Sequence, residues 1–324
     1  MKNANMKCVA LLVLFSAVPG CGGSQPPIGA PGAMPQSRAI AAHAERDGSW
    51  MRRAASADLI YATGFNRIYV LTFPDGTLVG TIHDNLAHGN ACADGSGNVF
   101  VPAYNSQTMT GEIDEYAHGA TTPTIVETDP KREPGVCSID RTTGNLAFTD
   151  YDTSGKDGMV AVYDSGTEAL QHYRIHNGYE LASCGYDNEG NLFAARGGTR
   201  QLYELRTGEK SFRWLRLGQS LGWPGRIQWY GGLLTIQEES PDPAIDRIVV
   251  SGSTARLAGR TPLRINGHSR YHLASWIYES TVIAPIGWRG AILAFWNYPK
   301  AGKPTKTEKR PKRWMQSVTV SVAR

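Results

Sequence analysis

Pro134-Gly-Val-Cys-Ser-Ile-Asp140-Arg-Thr-Thr-Gly144-Asn145-Leu-Ala-Phe148 occurs in recognisably the same form twice more. Upstream stands His88-Gly-Asn-Ala-Cys-Ala-Asp94-Gly-Ser-Gly97-Asn98-Val-Phe-Val101, and downstream Leu181-Ala-Ser-Cys-Gly-Tyr-Asp187-Asn-Glu-Gly190-Asn191-Leu-Phe-Ala194. In each, an apolar run ends at an aspartate, a short Asp/Gly/Asn turn follows, and a second apolar run begins. Asp and Asn side chains bond the backbone of tight turns and Gly tolerates positive φ, so each copy reads as a β-hairpin. The three aspartates lie 46 and 47 residues apart. Hairpins repeated at a period near 45 specify radially repeated sheets, the all-β propeller class.

The count extends along the chain. Pro224-Gly-Arg-Ile-Gln-Trp-Tyr-Gly231-Gly232-Leu-Leu-Thr-Ile-Gln237 is a fourth copy, and Tyr271 to Pro285, turning near Glu279-Ser280, is a fifth. Between the copies lie outer hairpins: Ile68–Ile82, Ile113–Glu127, Val160–Ile175, Leu202–Leu217, Ile248–Ile265 and Ile292–Thr307. Phe73, Tyr116, Tyr163, Leu205, Val250 and Phe295 align as one position of this unit, recurring about every 44 residues. Six outer hairpins predict six blades of four antiparallel strands. Only one inner strand, Leu59–Thr63, fits before the first of them. Its partner is expected at the other end, where Gln316-Ser-Val-Thr-Val-Ser-Val-Ala323 alternates with period two. The C-terminal strand would then close the ring and remove an aggregation-prone edge. The propeller is expected over residues 57–324.

The ends suggest where the protein works. Lys2 and Lys7 precede the apolar run Val9–Val18 and then Val18-Pro-Gly-Cys21. This is the form of an export signal, too short for a membrane span of about 20 apolar residues. Residues 1–20 are therefore expected to be a signal peptide. Gly20-Cys21 resembles a bacterial lipobox, with Cys21 the lipidated residue; Pro19 departs from that pattern, and cleavage by an ordinary signal peptidase is the competing reading. Residues 21–56, rich in Gly, Pro, Ser and Ala, read as a flexible spacer. The expected location is the cell envelope, on the outer membrane in a two-membrane cell because Gly22 and not Asp follows the cysteine. A net charge of +4 over 324 residues names no partner. The basic stretch Lys300–Arg313 lacks interleaved aromatics, which argues against nucleic acid.

Five cysteines are present. Cys92, Cys137 and Cys184 hold matching positions on the first inner strands, and the expectation is three reduced, buried, unreactive thiols. No Cys/His spacing of metal-ligand type occurs, so no metal or other cofactor is expected.

In a propeller, loops entering the first inner strand and leaving the second share one face. That face collects the candidate ligand-binding residues Tyr104, Asn105, Asp150, Tyr151, Arg196, Trp223, Glu238, His268 and Trp288. The tunnel-mouth ends of the second strands are Thr63, Ala103, Asp150, Arg196, Gln237 and Pro285. A lactonase-type hydrolase needs a cation held there by several oxygen ligands. One carboxylate among six residues is a poor cage, and Asp150 beside Arg196 reads as an ion pair between blades. No catalytic residue is therefore assigned. The favoured reading is a monomeric binding or scaffold module for a glycan, peptide or protein. The alternative is a metal-assisted hydrolase with Asp150 and Glu238 as its carboxylates.

The repeat, an apolar strand, Asp-x-x-Gly-Asn and a second strand, resembles NHL-type repeats and the gluconolactonase-like six-bladed propellers. Together with Gly22-Gly-Ser-Gln-Pro-Pro-Ile-Gly-Ala-Pro, Glu115-Tyr-Ala-His-Gly119, Cys184-Gly-Tyr-Asp-Asn-Glu-Gly-Asn-Leu-Phe193 and Phe295-Trp-Asn-Tyr-Pro299, the chain is similar to a group of bacterial lipoprotein propellers. The resemblance implies a six-bladed exported propeller. It implies no activity, and the lactonase metal ligands have no counterparts here.

Overall fold

The structure is a computed structural model that describes residues 51, 54–152, 158–175, 181–265, 272–286, 292–300, 302–309 and 314–324. The chain divides into Met1–Ala30, outside the described residues, and Pro31–Arg324.

Strands β1 (Leu59–Thr72) and β2 (Leu78–His88) come first. Four-strand meanders follow in chain order. These are β3 (Cys92–Ala93), β4 (Val99–Asn105), β5 (Thr110–Tyr116) and β6 (Thr124–Pro130), then β7 (Arg132–Ile139), β8 (Leu146–Asp152), β9 (Gly158–Asp164) and β10 (Ala169–Arg174). The next two are β11 (Leu181–Tyr186), β12 (Leu192–Arg196), β13 (Gln201–Leu205), β14 (Arg213–Leu217), and β15 (Pro224–Tyr230), β16 (Leu233–Glu238), β17 (Ala244–Ser251), β18 (Thr254–Pro262). Last come β19 (Trp276–Tyr278), β20 (Thr281–Ile286), β21 (Ile292–Asn297), β22 (Lys306–Lys309) and the final strand β23 (Ser317–Ser321).

β1 is two strands in one. Fourteen residues drawn straight would span about 45 Å, yet the Phe73 amide donates to the Asp58 carbonyl at 2.9 Å. The chain therefore doubles back near Asn66, whose φ is 54°. Its first arm, Leu59–Thr63, pairs antiparallel with β23 from Leu59↔Ser321 to Thr63↔Ser317. Its second arm pairs with β2.

Hydrogen bonding joins the meanders into four sheets, where separate blades were expected. β2 overshoots its hairpin and pairs with β4 through Ala87↔Tyr104 and His88↔Ala103. At the outer edge β14 pairs parallel with β18. Unpaired edge groups bond whatever neighbouring edge comes within reach.

The turns behave as their residues dictate. Asp94 Oδ1 accepts from the amides of Ser96 and Asn98, both at 2.8 Å, and Asp187 repeats this with Glu189 and Asn191 at 2.9 Å. Gly97, Gly144 and Gly190 occupy positive φ. The apolar faces pack meander against meander. Phe193, Leu202 and Leu215 meet Ile227, Leu234 and Ile248, while Phe100 and Ile113 meet Cys137, Phe148 and Ala161.

The cysteine expectation needs correction. Cys92 on β3 and Cys137 on β7 form a disulfide, with Cα atoms 5.5 Å apart. Matching positions in successive meanders are not remote, because the innermost strands converge. The Asn90 amide donates to Gly135 at 2.8 Å and the Cys137 amide to Asn90 at 3.1 Å. Cys184 is a free, buried thiol, pushed up to about 12 by desolvation.

Candidate functional site

The entry ends of the inner strands surround a hollow of about 210 Å³, bounded by Phe65, His88, Asn90, Glu133, Pro134, Tyr151, Trp314 and Gln316 among others. Phe65 and Trp314 are 58% and 44% exposed. Phe65 stands there because β1 reverses beside it. His88 is buried beneath, its ring bonded to the Gly64 carbonyl at 2.7 Å and to Asp84 at 2.8 Å. Burial opposes its charge, but the bond and charge of Asp84, the Gly64 carbonyl and the charge of Asp114 together raise the imidazole pKa.

Of the sequence candidates, Tyr151 lines this hollow; its hydroxyl donates to the Leu181 carbonyl. Trp223 is 47% exposed and lies over Gly197, where a Cβ would come within 2.8 Å of the indole. Tyr104 is half-buried in the β4–β5 ladder opposite Gly111. Asn105 is occupied as a turn former, accepting from the amides of Gln107 at 3.0 Å and Thr108 at 3.2 Å. Arg196 ends β12, across from Leu181. Glu238 is buried and accepts from the Gly222 amide at 2.5 Å; desolvation raises its carboxyl, which that bond partly offsets. His268, Trp288 and Cys21 lie outside the described residues.

The expected Asp150–Arg196 pair is replaced by another. Asp150 is fully buried and bonded to Arg132 Nε, and Arg132 Nη2 also donates to its carbonyl at 3.2 Å. His172 Nε2 lies 3.3 Å from Asp150 and 3.0 Å from Asp129. Its bond to Asp150, and attraction to both carboxylates, raise the imidazole pKa against the pull of burial. Arg132 won because it opens the strand whose ladder runs Arg132↔Asp152 and Pro134↔Asp150, directly beside the carboxylate. Asp129, Asp150 and His172 each offer a ligand atom within 4.8 Å of the others, which is the donor set of a small cation site. In the present arrangement Arg132 Nε holds Asp150 Oδ2, the oxygen that also faces His172, while Asp150 Oδ1 has no hydrogen-bond partner. Glu238, the other carboxylate of the hydrolase alternative, is not part of this group.

Two residues of the tunnel-mouth ring, Thr63 and Gln237, serve the backbone. Thr63 Oγ1 donates to Gly89 at 2.9 Å, while Gln237 donates to the Leu273 carbonyl at 2.9 Å and accepts from the Ser275 amide at 2.6 Å. Such bonds tie these two strands to the segment entering the next meander.

Sequence reasoning missed Phe65, Glu133, Trp314, Asp129, Arg132, His172 and Arg226. Only Arg226 carried a readable signal. In the aligned copies its place, just before the cysteine position, holds Ala91, Val136 and Ser183.

No protein-family model and no curated protein matches the sequence. Solved structures do. A chain of the nidogen/laminin complex aligns with TM-score 0.65 at 12% identity, covering 83% of this chain and 100% of that one. A protein of unknown function from Bacteroides caccae aligns with TM-score 0.61 at 9% identity, over 82% of this chain and 99% of its own. TolB from Acinetobacter baumannii aligns with TM-score 0.58 at 12% identity, over 83% and 67%. The fold is a β-propeller. At such identities the likeness carries architecture and nothing of chemistry. Among the described residues, no helix of this propeller is long and apolar enough to cross a membrane.

Proposed function

We propose that the protein is an exported, lipid-anchored propeller that binds a protein or peptide segment at its tunnel mouth. In this reading it has six blades over residues 57–324, follows a signal peptide and a spacer, and is closed by β23 on the first arm of β1. The observation that carries the binding reading is the hollow of about 210 Å³ with the exposed Phe65 and Trp314 on its rim. Concave sites with aromatic walls and a few polar groups are the usual form of a recognition site. That one neighbour in fold is a chain of the nidogen/laminin complex favours a protein ligand over a glycan.

Capture from a solubilised envelope fraction tests it, comparing the wild-type domain with Phe65→Ala and Trp314→Ala. Both side chains are exposed enough that truncation should leave folding intact. A partner held by the wild type and weakened about tenfold or more in either variant is expected. Equal capture by all three would refute the site. Attachment is tested separately with a palmitate analogue, whose incorporation Cys21→Ser should abolish.

The second reading, a metal-assisted hydrolase, has one observation in its favour, the Asp129–Asp150–His172 donor set. Stoichiometric metal in the purified protein, lost in Asp150→Asn, would make it the better reading.

A further inference from the structure

Where β14 and β18 pair parallel, the outermost strands of two neighbouring meanders adjoin. The register sets Arg216 opposite Thr254 and Leu217 opposite Ala255. Leu217 and Ala255 pack into the apolar core, so Arg216 and Thr254 face outward together. Strand alternation adds Trp214 and Arg256 to the same outer face. All four are exposed, Trp214 at 56%, and so is Leu257 beside Arg256. From Arg216 to Arg256 is one strand across and two residues along, about 8 Å between Cα atoms.

The charges around this face do not cancel. Glu204, buried on β13, is met by two arginines: Arg213 Nε donates to it at 2.5 Å, and Arg206 Nε lies 3.6 Å away. Asp246, fully buried on β17, accepts from Arg260 at 3.0 Å and from Gln219 at 2.8 Å. Glu209, in the β13–β14 turn, is followed by Lys210. Among the described residues no carboxylate pairs with Arg216 or Arg256.

The surroundings narrow the partner. β14 lies between β13 and β18, and β18 between β14 and β17, so the face offers no free edge to which a peptide strand could add. Recognition falls to the side chains. Guanidinium groups take phosphate oxygens through paired N–H donors. Trp settles at the headgroup level of a bilayer, where one part of the ring is apolar and the other wet. Anionic lipid attracts each Arg held near its surface.

We propose that the β14–β18 face docks on an anionic membrane surface, with Arg216 and Arg256 on lipid phosphates and Trp214 among the headgroups. The contact is separate from the tunnel-mouth hollow and does not depend on lipidation of Cys21.

Vesicle co-sedimentation tests it with the full chain carrying Cys21→Ser, which removes any acyl anchor. Vesicles of equal parts phosphatidylglycerol and phosphatidylcholine are compared with phosphatidylcholine alone. Stronger, saturable binding to the anionic vesicles is expected, falling as salt is added. Arg216→Gln and Arg256→Gln should each weaken it about fivefold, and Trp214→Ala should weaken it without changing the salt dependence. These side chains are exposed, so thermal melting should stay as in the parent. Arg141→Gln removes an exposed charge from the turn after Asp140, outside this face, and should bind as the parent does. Equal binding to both kinds of vesicle would overturn the proposal, as would an equal loss in Arg141→Gln. Face variants that bind as the parent does would overturn it too.

Discussion

Asp114, on β5, is 3% exposed, and no hydrogen-bond partner serves its Oδ1. Desolvation, reinforced by Glu112 and Asp84 and opposed by His88, pushes its carboxyl up to about 7 from 3.8. The folded state therefore holds this proton more tightly than the unfolded chain does. The stability that the proton contributes is complete below about pH 4 and is lost as pH rises through about 7. Asp114→Asn, which removes the charge at nearly constant shape, should be close to neutral at pH 4 and stabilising at pH 8. Denaturant unfolding at both pH values measures this; an effect of equal size at the two would contradict the burial account.

Among the elements, β3 has only two residues, and its disulfide to β7 does what a longer ladder would otherwise do. Closing a loop of 45 residues is worth about 4 kcal/mol on chain-entropy grounds, and commonly 2–4 kcal/mol in practice. Cys92→Ala or reduction should cost that much, and the native mass should be two units lighter than the reduced chain. A full-weight native protein would return Cys92 and Cys137 to free thiols. Cys184 should resist alkylation in either case. His172 makes a second inter-element tie, from β10 to Asp129 on β6 and Asp150 on β8. Its raised pKa means that its contribution is full below about pH 6.5 and lost as pH rises through the folded value. His172→Gln should therefore destabilise more at pH 5.5 than at pH 9, and modestly, since the imidazole is a third exposed. A larger loss at pH 9 would reverse the assignment.

For the molecule as a whole, β23 is the strand with most depending on it. All five residues are buried, and it pairs with the first arm of β1, some 250 residues away in the chain. Removing Ser317–Arg324 exposes that arm, including Leu59 to Thr63, and leaves two open edges. Unfolding or aggregation is expected by size-exclusion chromatography and thermal melting. A monomeric truncation with unchanged melting would refute ring closure.

What could be read from the chain alone was local or periodic. The Asp/Gly/Asn turns at Asp94, Asp140 and Asp187 were legible because each side chain bonds a backbone two to four residues away. The outer hairpins, and the strand 317–321 as a partner for 59–63, followed from alternation and the count of repeats. The rest depended on convergence at the axis, which no spacing encodes. Cys92 and Cys137 bridge because inner strands approach one another there. Asp150 pairs with Arg132 and not Arg196 because the β7–β8 register sets Arg132 beside it. Phe65 reaches the mouth because β1 doubles back, and Arg226 is held by the Ala91 and Cys137 carbonyls and the Trp276 ring because the inner strands converge on it. Local turn chemistry acts over a few residues and can be seen in the sequence; the partners of a buried group are chosen by the packing of strands far apart in it.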